Sequence, residues 1–587
     1  MRITAIFVDL EDDAQTDLAT YYRAGELSIS AVAEWKNGVA EVKQYGNRLG
    51  MQEFRKYFEQ DKANEKADVL KKTYQELRET YTDLPDEKIK GRMVAALQEY
   101  EAAHPDLLTE IPSEDQFYGF RGANKLEQYL QWVYIPAVKD ATAEQEQAKT
   151  SALSRLLQRR VYSQLKLDDQ IGQIKSEASE KYSNLLSENK EPLKQVSQSL
   201  NRRFQRWAHP KASVELSWAQ PNNVVSITSP VAEMKATEGA FTGNLARFGH
   251  GLQRSFIFAL LEELAEHSTT GPILILGCEE PELYQHPPQA RYMASVLERL
   301  SKEHAQVFVC THSPYFVSGR GFEAIRAVQK GKADTALVKQ SSFDEVAQII
   351  ATADGGTPTR TGGMEARIEQ EMHGQMNELY FAHVPVLVEG LEDIAFITTY
   401  MELFEFMDDF RSLGGHIVQC QGKSHLVQAV AICNALDLAR FVVFDADGDT
   451  EPDTPEKQTG KRKQHERENT TLMKLMGIAD PLPFPKDILR DRSLTVWPTK
   501  IGDVVRSEIG PEHWSKCEQA VRNAHENYSS DMGKNSLFLA YVILEAWDEG
   551  RYSTSMKTLC EDIVEHARRS ASSAEPITIS AEEEMAE

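Results

Sequence analysis

The sequence predicts an α/β fold built as two successive α/β regions, with a long helical insertion inside the first. Three observations carry that reading. Four short apolar runs, Ile273–Leu276, Val307–Val309, Val384–Val388 and Phe441–Phe444, have the continuous hydrophobicity of strands buried on both faces. Each opens onto polar residues: Glu279 and Glu280, Thr311 and His312, Glu389, and Asp445, Asp447 and Asp449. Ligands of open α/β sheets sit outside the carboxyl ends of the strands, so these residues stand at the functional edge. Ahead of all four runs, residues 141–204 are polar, with Leu153, Leu156, Leu157, Val161 and Leu165 near helical spacing.

In chain order, Ile3–Val8 reads as a strand, and Leu27–Trp35 and Val39–Tyr45 as a hairpin across Lys36-Asn37-Gly38, Asn-Gly being a strong hairpin signal. From about Met51 the period becomes helical, with amphipathic helices over Ala67–Tyr81 and Glu87–His104. Another helix begins at Leu126–Val133 and breaks at Trp132–Asp140. The 141–204 region is either an antiparallel arm or dimerisation element, or an ordinary helical layer on a sheet, and Pro192 interrupts it late. Strands return at Val214–Trp218 and Val224–Thr228. Thr352–Gly363 reads as a turn-rich linker and Glu451–Asn469 as a polar, mobile insertion whose Lys457, Lys461, Arg462, Lys463 and Arg467 could meet a DNA backbone.

A chain of 587 residues is expected to form about two to four domains. Its net charge of −25 excludes a global basic field for nucleic acid, but not local phosphate contacts. The six cysteines lack zinc spacing and suit a reducing compartment, so a cytoplasmic location is expected. No apolar run approaches membrane-spanning length, and no membrane partner is expected.

The acids are the chemical signal. Val384–Val388 ends in Glu389-Gly390, with Asp393 at the start of the next helix, and Phe441–Phe444 ends in Asp445, Asp447 and Asp449. Carboxylates packed this way repel one another, and a divalent cation relieves the repulsion. Two strand ends delivering carboxylates make a Mg²⁺ platform for phosphodiester chemistry. This pair resembles the Toprim domain of topoisomerases, primases and nucleases, marked by Glu-Gly after one strand and Asp-x-Asp after a later one.

A second ordered set lies upstream. Gly249-His250-Gly251-Leu252-Gln253 leads into an apolar helix, a strand ends in Glu279-Glu280-Pro281-Glu282, and another ends in His312. Together these resemble the ABC-type ATPase heads of recombination and condensin proteins. The resemblance implies that Gly249, His250, Gly251 and Gln253 meet a γ-phosphate across a dimer, Glu279 holds Mg²⁺, Glu280 polarises the attacking water, and His312 senses the γ-phosphate. An ABC-type head followed by a Toprim domain resembles the OLD (overcoming lysogenisation defect) family, to which the Gabija nuclease subunit is related. Tyr134-Ile135-Pro136-Ala137-Val138-Lys139-Asp140 is a further mark of that group's head.

The family resemblance implies an ATPase-like head at 1–68 and 205–350 and a helical insertion or dimerisation arm at 69–204. A linker follows at 351–377, a Toprim nuclease domain at 378–569 and a disordered acidic tail at 570–587. It further implies Lys534 as a transition-state stabiliser and Asp503, with Glu508 as rival, as an acid for a second metal. Asp445 and Asp447 would bind one Mg²⁺ or Mn²⁺, Glu389 would bind metal or act as base, and Asp393 with Asp449 or Asp503 would complete a second site. The family's phosphate loop, G-x-x-x-x-G-K-[ST] (Walker A), is missing: Gln421-Gly422-Lys423-Ser424 imitates its end, but Ile417 stands in place of the first glycine. ATP binding is therefore expected only if the protein starts upstream of Met1 or another polypeptide completes the head; otherwise the head is degenerate and structural. The expected function is a metal-dependent DNA endonuclease, homodimeric, serving anti-phage defence, with a second defence protein as a further partner. The alternative is a non-catalytic ATPase-like scaffold that binds a separate effector. A primase or topoisomerase is the third reading, against which no DNA-gate tyrosine domain is visible.

Overall fold

A computed structural model describes residues 2–18, 21–23, 25–36, 39–62, 65–104, 107, 109–113, 126, 129–137, 167–207, 216–218, 235–244, 247–266, 272–303, 305–330, 335–372, 374–452, 460–524 and 535–572. They form two compact units, one of Met1–Tyr284 with Ser295–Cys310, the other of Gln285–Ala294 with Thr311–Glu587. Among them no helix is long and apolar enough to cross a membrane.

In the first unit, Arg2–Val8, Glu26–Lys36, Val39–Gly50 and Thr109–Ser113 form an antiparallel sheet in that order. Lys36 pairs with Val39, the register the Asn37-Gly38 turn predicts. Helices Ala67–Thr80 and Lys90–Ala103 follow the expected periodicity and enclose Phe54, Tyr57, Tyr74 and Leu97. Helices Leu167–Glu188 and Lys190–Trp207 occupy the end of the polar region. Pro192 lies in the first turn of the second, where a missing N–H breaks no helical bond. A three-stranded parallel sheet, Ala305–Cys310, Ile273–Glu279 and Leu130–Ile135, carries the Glu279 edge.

Two expectations fail here. The segment read as a helix from Leu126 is a strand over Leu130–Ile135, because its aromatic and β-branched residues pair in register with Ile273–Cys278. Leu216–Trp218 carry no strand, while Val214, Glu215 and Val224–Thr228 lie outside the described residues.

The second unit holds a five-stranded sheet ordered Gly415–Gln419, Val384–Val388, Phe441–Asp445, Leu494–Trp497, Leu489–Asp491. All neighbours are parallel except the last pair. Helices cover both faces. One face packs through Leu387, Val442 and Phe444 against Leu426, Val430 and Leu472. The other packs through Val386, Val443 and Trp497 against Phe396, Phe538 and Leu559. Two polar stretches turn out to be helical. Within the 351–377 stretch, Thr361–Glu371 is a helix that buries Met364 and Ile368 in the core. Lys461–Leu475 is a helix too, and Asn469 is fully buried, donating to Ala446 O and Pro483 O at 2.9 Å each. The charged composition that suggested a loop belongs to that helix's outer face.

Candidate active site

The acid cluster stands at the carboxyl edge of the second unit's sheet. Val384–Val388 is buried along its length, so Glu389 leaves the sheet from a rigid support. Its Oε1 accepts the Asp445 N–H at 3.0 Å, tying together the ends of two adjacent parallel strands. Asp445 Oδ1 in turn accepts the Ile501 N–H at 3.0 Å, at the start of the helix Ile501–Ile509. Asp393 Oδ2 accepts the Gly390 N–H at 2.8 Å, so this acid caps the helix Leu391–Leu403 while buried within the cluster.

These carboxylates act on one another electrostatically. Burial, then the Glu389 carboxylate, pushes Asp393 up to about 7. Burial followed by Asp393 and Glu389 raises Asp445 well above the usual carboxylate range. Burial also raises Glu389, against the pull of Lys423. The cluster carries more negative charge than its surroundings stabilise.

Lys423, which the sequence reading set aside as an imitation of a phosphate loop, is part of this site. Its Nζ lies 2.8 Å from Asp447 Oδ2 and 3.9 Å from Glu389 Oε1, with the side chain 4% exposed. The turn before it is strained to place it there: Gln421 has φ 60°, Gly422 φ 124°, and the Gly422 N–H donates to Glu389 O at 2.9 Å. Asp447, itself left-handed at φ 53°, also lies 3.2 Å from His465 Nδ1. Glu392 is a second residue the sequence reading missed. It adds to the rise in Asp393, and its Oε1 would lie 2.9 Å from a Cβ placed on Gly502. The signal was present in Glu392-Asp393, two successive acids at a helix start.

Other expected site residues lie elsewhere. Asp449 is exposed, four residues past the strand end, apart from the hydrogen bonds that tie Glu389 to Asp445. Asp503 is the third residue of its helix, and its carboxylate pairs with Arg506 at 3.5 Å on the surface rather than with the Asp445 cluster. Glu508 is committed to Ser555, at 2.5 Å from Oγ and 3.2 Å from N, and to the Ser553 hydroxyl. Lys534 lies outside the described residues. Of the basic residues meant for DNA, Arg462 donates to Thr450 O at 2.5 Å and Gly448 O at 3.3 Å, and Arg467 pairs with Asp354. Lys457 also lies outside the described residues.

Among the described residues no three His, Cys, Asp or Glu side chains converge to hold a metal ion. The donor set still fits a hard divalent cation. Glu389, Asp393, Asp445 and Asp447 offer only carboxylate oxygen, the chemistry suited to Mg²⁺ or Mn²⁺, and one ammonium leaves their charge unbalanced.

The Glu279 edge of the first unit is built differently. Glu279 Oε2 accepts the Tyr134 hydroxyl at 2.6 Å and the Ala137 N–H at 3.3 Å. The Tyr134 bond first, then Ala137, holds this carboxylate below its ordinary range. Glu280 sits at φ 41° and its N–H donates to Cys310 O at 2.7 Å, crossing to the neighbouring strand. The helix His250–Glu266 starts at the Gly249-His250-Gly251 turn; Gln253 donates to Phe248 O at 2.7 Å, and His250 stacks on Tyr284. Arg254, one turn in, is buried and donates to Glu280 O at 2.8 Å, Pro281 O at 3.1 Å and Pro136 O at 3.3 Å, and also to Ala137 O. A buried guanidinium thus fixes the backbone beside both acids. The sequence showed Arg254 only as the last residue of the stretch leading into an apolar helix, with no sign of this task. His312 is exposed, two residues past the strand Ala305–Cys310.

The family model described as "AAA ATPase domain" matches residues 6–317, and "Overcoming lysogenization defect protein-like, TOPRIM domain" matches residues 380–447. The OLD nuclease of Thermus scotoductus is 29% identical over 229 residues, 38% of this chain and 39% of that protein. The Old nuclease of Escherichia phage P2 is 25% identical over 344 residues, 54% of this chain and 53% of that protein. The matched stretch therefore spans about half or less of each curated relative. Solved C-terminal regions of OLD proteins also align. That from Burkholderia pseudomallei has 15% identity and a TM-score of 0.23, covering 32% of this chain and 99% of that one. That from Xanthomonas campestris has 12% identity and a TM-score of 0.21, covering 33% and 96%.

Proposed function

Since the chain belongs to the AAA ATPase domain family and carries an OLD-like TOPRIM domain, we propose that it is a metal-dependent DNA endonuclease. The observation that carries this is the carboxylate cluster of half-buried Glu389 and Asp445 with buried Asp393 at the ends of adjacent strands, and Asp447 beside it. Acids are kept together in a poorly solvated place when their joint negative charge is used. Asp445, Asp447 and Asp393 would hold Mg²⁺ or Mn²⁺, which supplies Lewis-acid stabilisation of the phosphoryl oxygens and a more acidic water.

Glu389 is the residue for the proton. Burial favours its protonated form, so its carboxylate readily accepts a proton from the water that attacks phosphorus. The proton moves to a Glu389 oxygen, the new P–O bond forms in line, and the ester oxygen leaves. The Asp445 N–H holds Glu389 in orientation for this role. Lys534 would neutralise charge on the pentavalent transition state, and Asp449 or Asp503 would enter a second metal site once DNA is bound.

In the ATPase-type unit, Glu279 and Glu280 would take the roles of Mg²⁺ ligand and water-polarising acid. Gly249, His250, Gly251 and Gln253 would meet nucleotide held by a second copy, and His312 would read its γ-phosphate. A homodimer formed this way would gate the nuclease, with anti-phage defence as its setting and a second defence protein as a further partner. The scaffold reading is favoured by one observation, that Lys423 already engages Asp447.

The deciding experiment is cleavage of supercoiled plasmid by the full chain with Mg²⁺ or Mn²⁺. Wild type is expected to nick or linearise DNA, while Asp445→Ala and Glu389→Ala each lose about a hundredfold or more of the rate. Equal cutting by both variants would sink the site assignment; no cutting by wild type would favour the scaffold.

A further inference from the structure

Lys423 is buried more deeply than an ammonium tolerates without compensation, its side chain 4% exposed. It is compensated by Asp447 Oδ2 at 2.8 Å and Glu389 Oε1 at 3.9 Å, two of the acids assigned above to the metal-dependent site. His465 Nδ1 lies 3.4 Å from the same nitrogen, and the Phe444 ring centroid 5.9 Å away. The lysine's backbone is immobilised, because the Gly422 N–H bonds to Glu389 O and Cys420 N–H to Val388 O, each at 2.9 Å. Only its four-carbon stem is free to change direction.

From this we infer that Lys423 is a positioning residue: the built-in counter-ion of the acid cluster, which a divalent cation must displace from Asp447 and Glu389. The inference rests on the reading of this cluster as a metal-dependent site and says what sets its metal threshold. An ammonium at hydrogen-bond distance from Asp447 and a dication on the same carboxylate are like charges a few ångströms apart in a poorly screened place. They do not share the oxygens. Without metal, Lys423 keeps Asp447 and Glu389 turned inward and prevents the cluster from opening by self-repulsion. With metal, the ammonium swings out of the oxygens it held. The lysine thus stabilises the fold in the metal-free state and lowers affinity for the ion.

Two measurements on the full chain without DNA test this, with Mn²⁺ alone as the probe. In the first, free Mn²⁺ is read by electron paramagnetic resonance while thermal unfolding is followed. Lys423→Met is expected to unfold earlier without metal yet bind Mn²⁺ about tenfold or more tightly than wild type. Lys423→Arg, keeping the charge, is expected to stay near wild-type affinity. A lysine with a merely structural role would lower the unfolding midpoint at every Mn²⁺ concentration and leave affinity unchanged. That result, or weaker binding by Lys423→Met, overturns the inference.

The second measurement needs no variant and decides the matter if Lys423→Met does not fold. Amine labelling of wild type, read by mass spectrometry, is expected to show Lys423 protected without metal and several-fold more reactive with it. Unchanged reactivity at saturating Mn²⁺ overturns the inference. If Mn²⁺ gives the expected results in these measurements but the full chain cuts no DNA, the counter-ion role stands while the nuclease reading falls. If neither wild type nor Lys423→Met binds Mn²⁺, both fall.

Discussion

Two sheets in this molecule present the same signature, an apolar strand opening onto acids, with opposite results. In the second unit Val384–Val388, Phe441–Phe444 and Leu494–Trp497 are covered on both faces. In the first, Ala305–Cys310 alternates in exposure, and Trp132, Tyr134 and Phe308 leave one face of their sheet open at 51%, 49% and 58% exposure. The register places Tyr134, Gly277 and Phe308 in one row on that open face. The acids follow their supports. Glu389, Asp393 and Asp445 are raised by burial, whereas Glu279, on the open sheet, is lowered by a tyrosine hydroxyl. An acid at a strand end therefore marks a location, and what covers the sheet decides its chemistry.

The largest effect that sharpens this contrast is in packing. Phe396 is fully buried against the TOPRIM sheet, and Phe396→Ala should lower stability by about 3–5 kcal/mol. Phe308→Ala, on the open face, should change it by about 0.5 kcal/mol or less. Chemical denaturation of both variants measures the difference. Equal losses would mean that the face bearing Phe308 is covered in solution.

Next is the dependence on pH. Asp393 is raised from 3.8 to about 7 in the fold, so the folded state binds its proton more tightly than the unfolded chain does. Its stabilising contribution is present below the unfolded value and is lost as pH rises through about 7. With a chelator present, wild type should lose stability between roughly pH 4 and pH 7, and Asp393→Asn should remove part of that slope, on the order of a few kcal/mol. Glu389 and Asp445, shifted in the same direction, leave a remainder. Unfolding midpoints across that window measure it, and an identical slope in the variant would place Asp393 outside the charged cluster.

Much of this was legible in the sequence, for a physical reason. Parallel strands buried on two faces must be continuously apolar, so the runs at Val384 and Phe441 stood out, as did the acids that end them. Helix–strand choice at Leu130–Ile135 was not legible, because pairing with a neighbouring strand outweighed a short ambiguous pattern. Lys423 was hidden more deeply. Its role depends on two successive positive-φ residues, Gln421 and Gly422, that turn the chain back to Glu389, and no periodicity reports that. Arg254 was hidden likewise, since its partners are backbone carbonyls and leave no trace in side-chain identity. Asp503 stands after a strand as its sequence position suggested, and the sequence did not show that helical phase pairs its carboxylate with Arg506.

The smallest expected effect tests the open half of the comparison. Tyr134→Phe deletes the hydrogen bond that is the main cause of the lowered Glu279 carboxylate while leaving the Ala137 N–H in place. The Glu279 titration midpoint should move up toward the ordinary carboxylate value, read by carboxylate NMR with Glu279→Gln to assign the signal. A lowered carboxylate stabilises the fold above its unfolded value and loses that contribution as pH falls, but solvent screens an exposed group. The unfolding midpoint near neutral pH should therefore hardly change. A large drop in stability would mean that Tyr134 is packed rather than exposed, and an unmoved Glu279 would mean that the backbone alone sets its charge. Either result would erase the difference between the two strand ends, because coverage of the sheet would then no longer separate them.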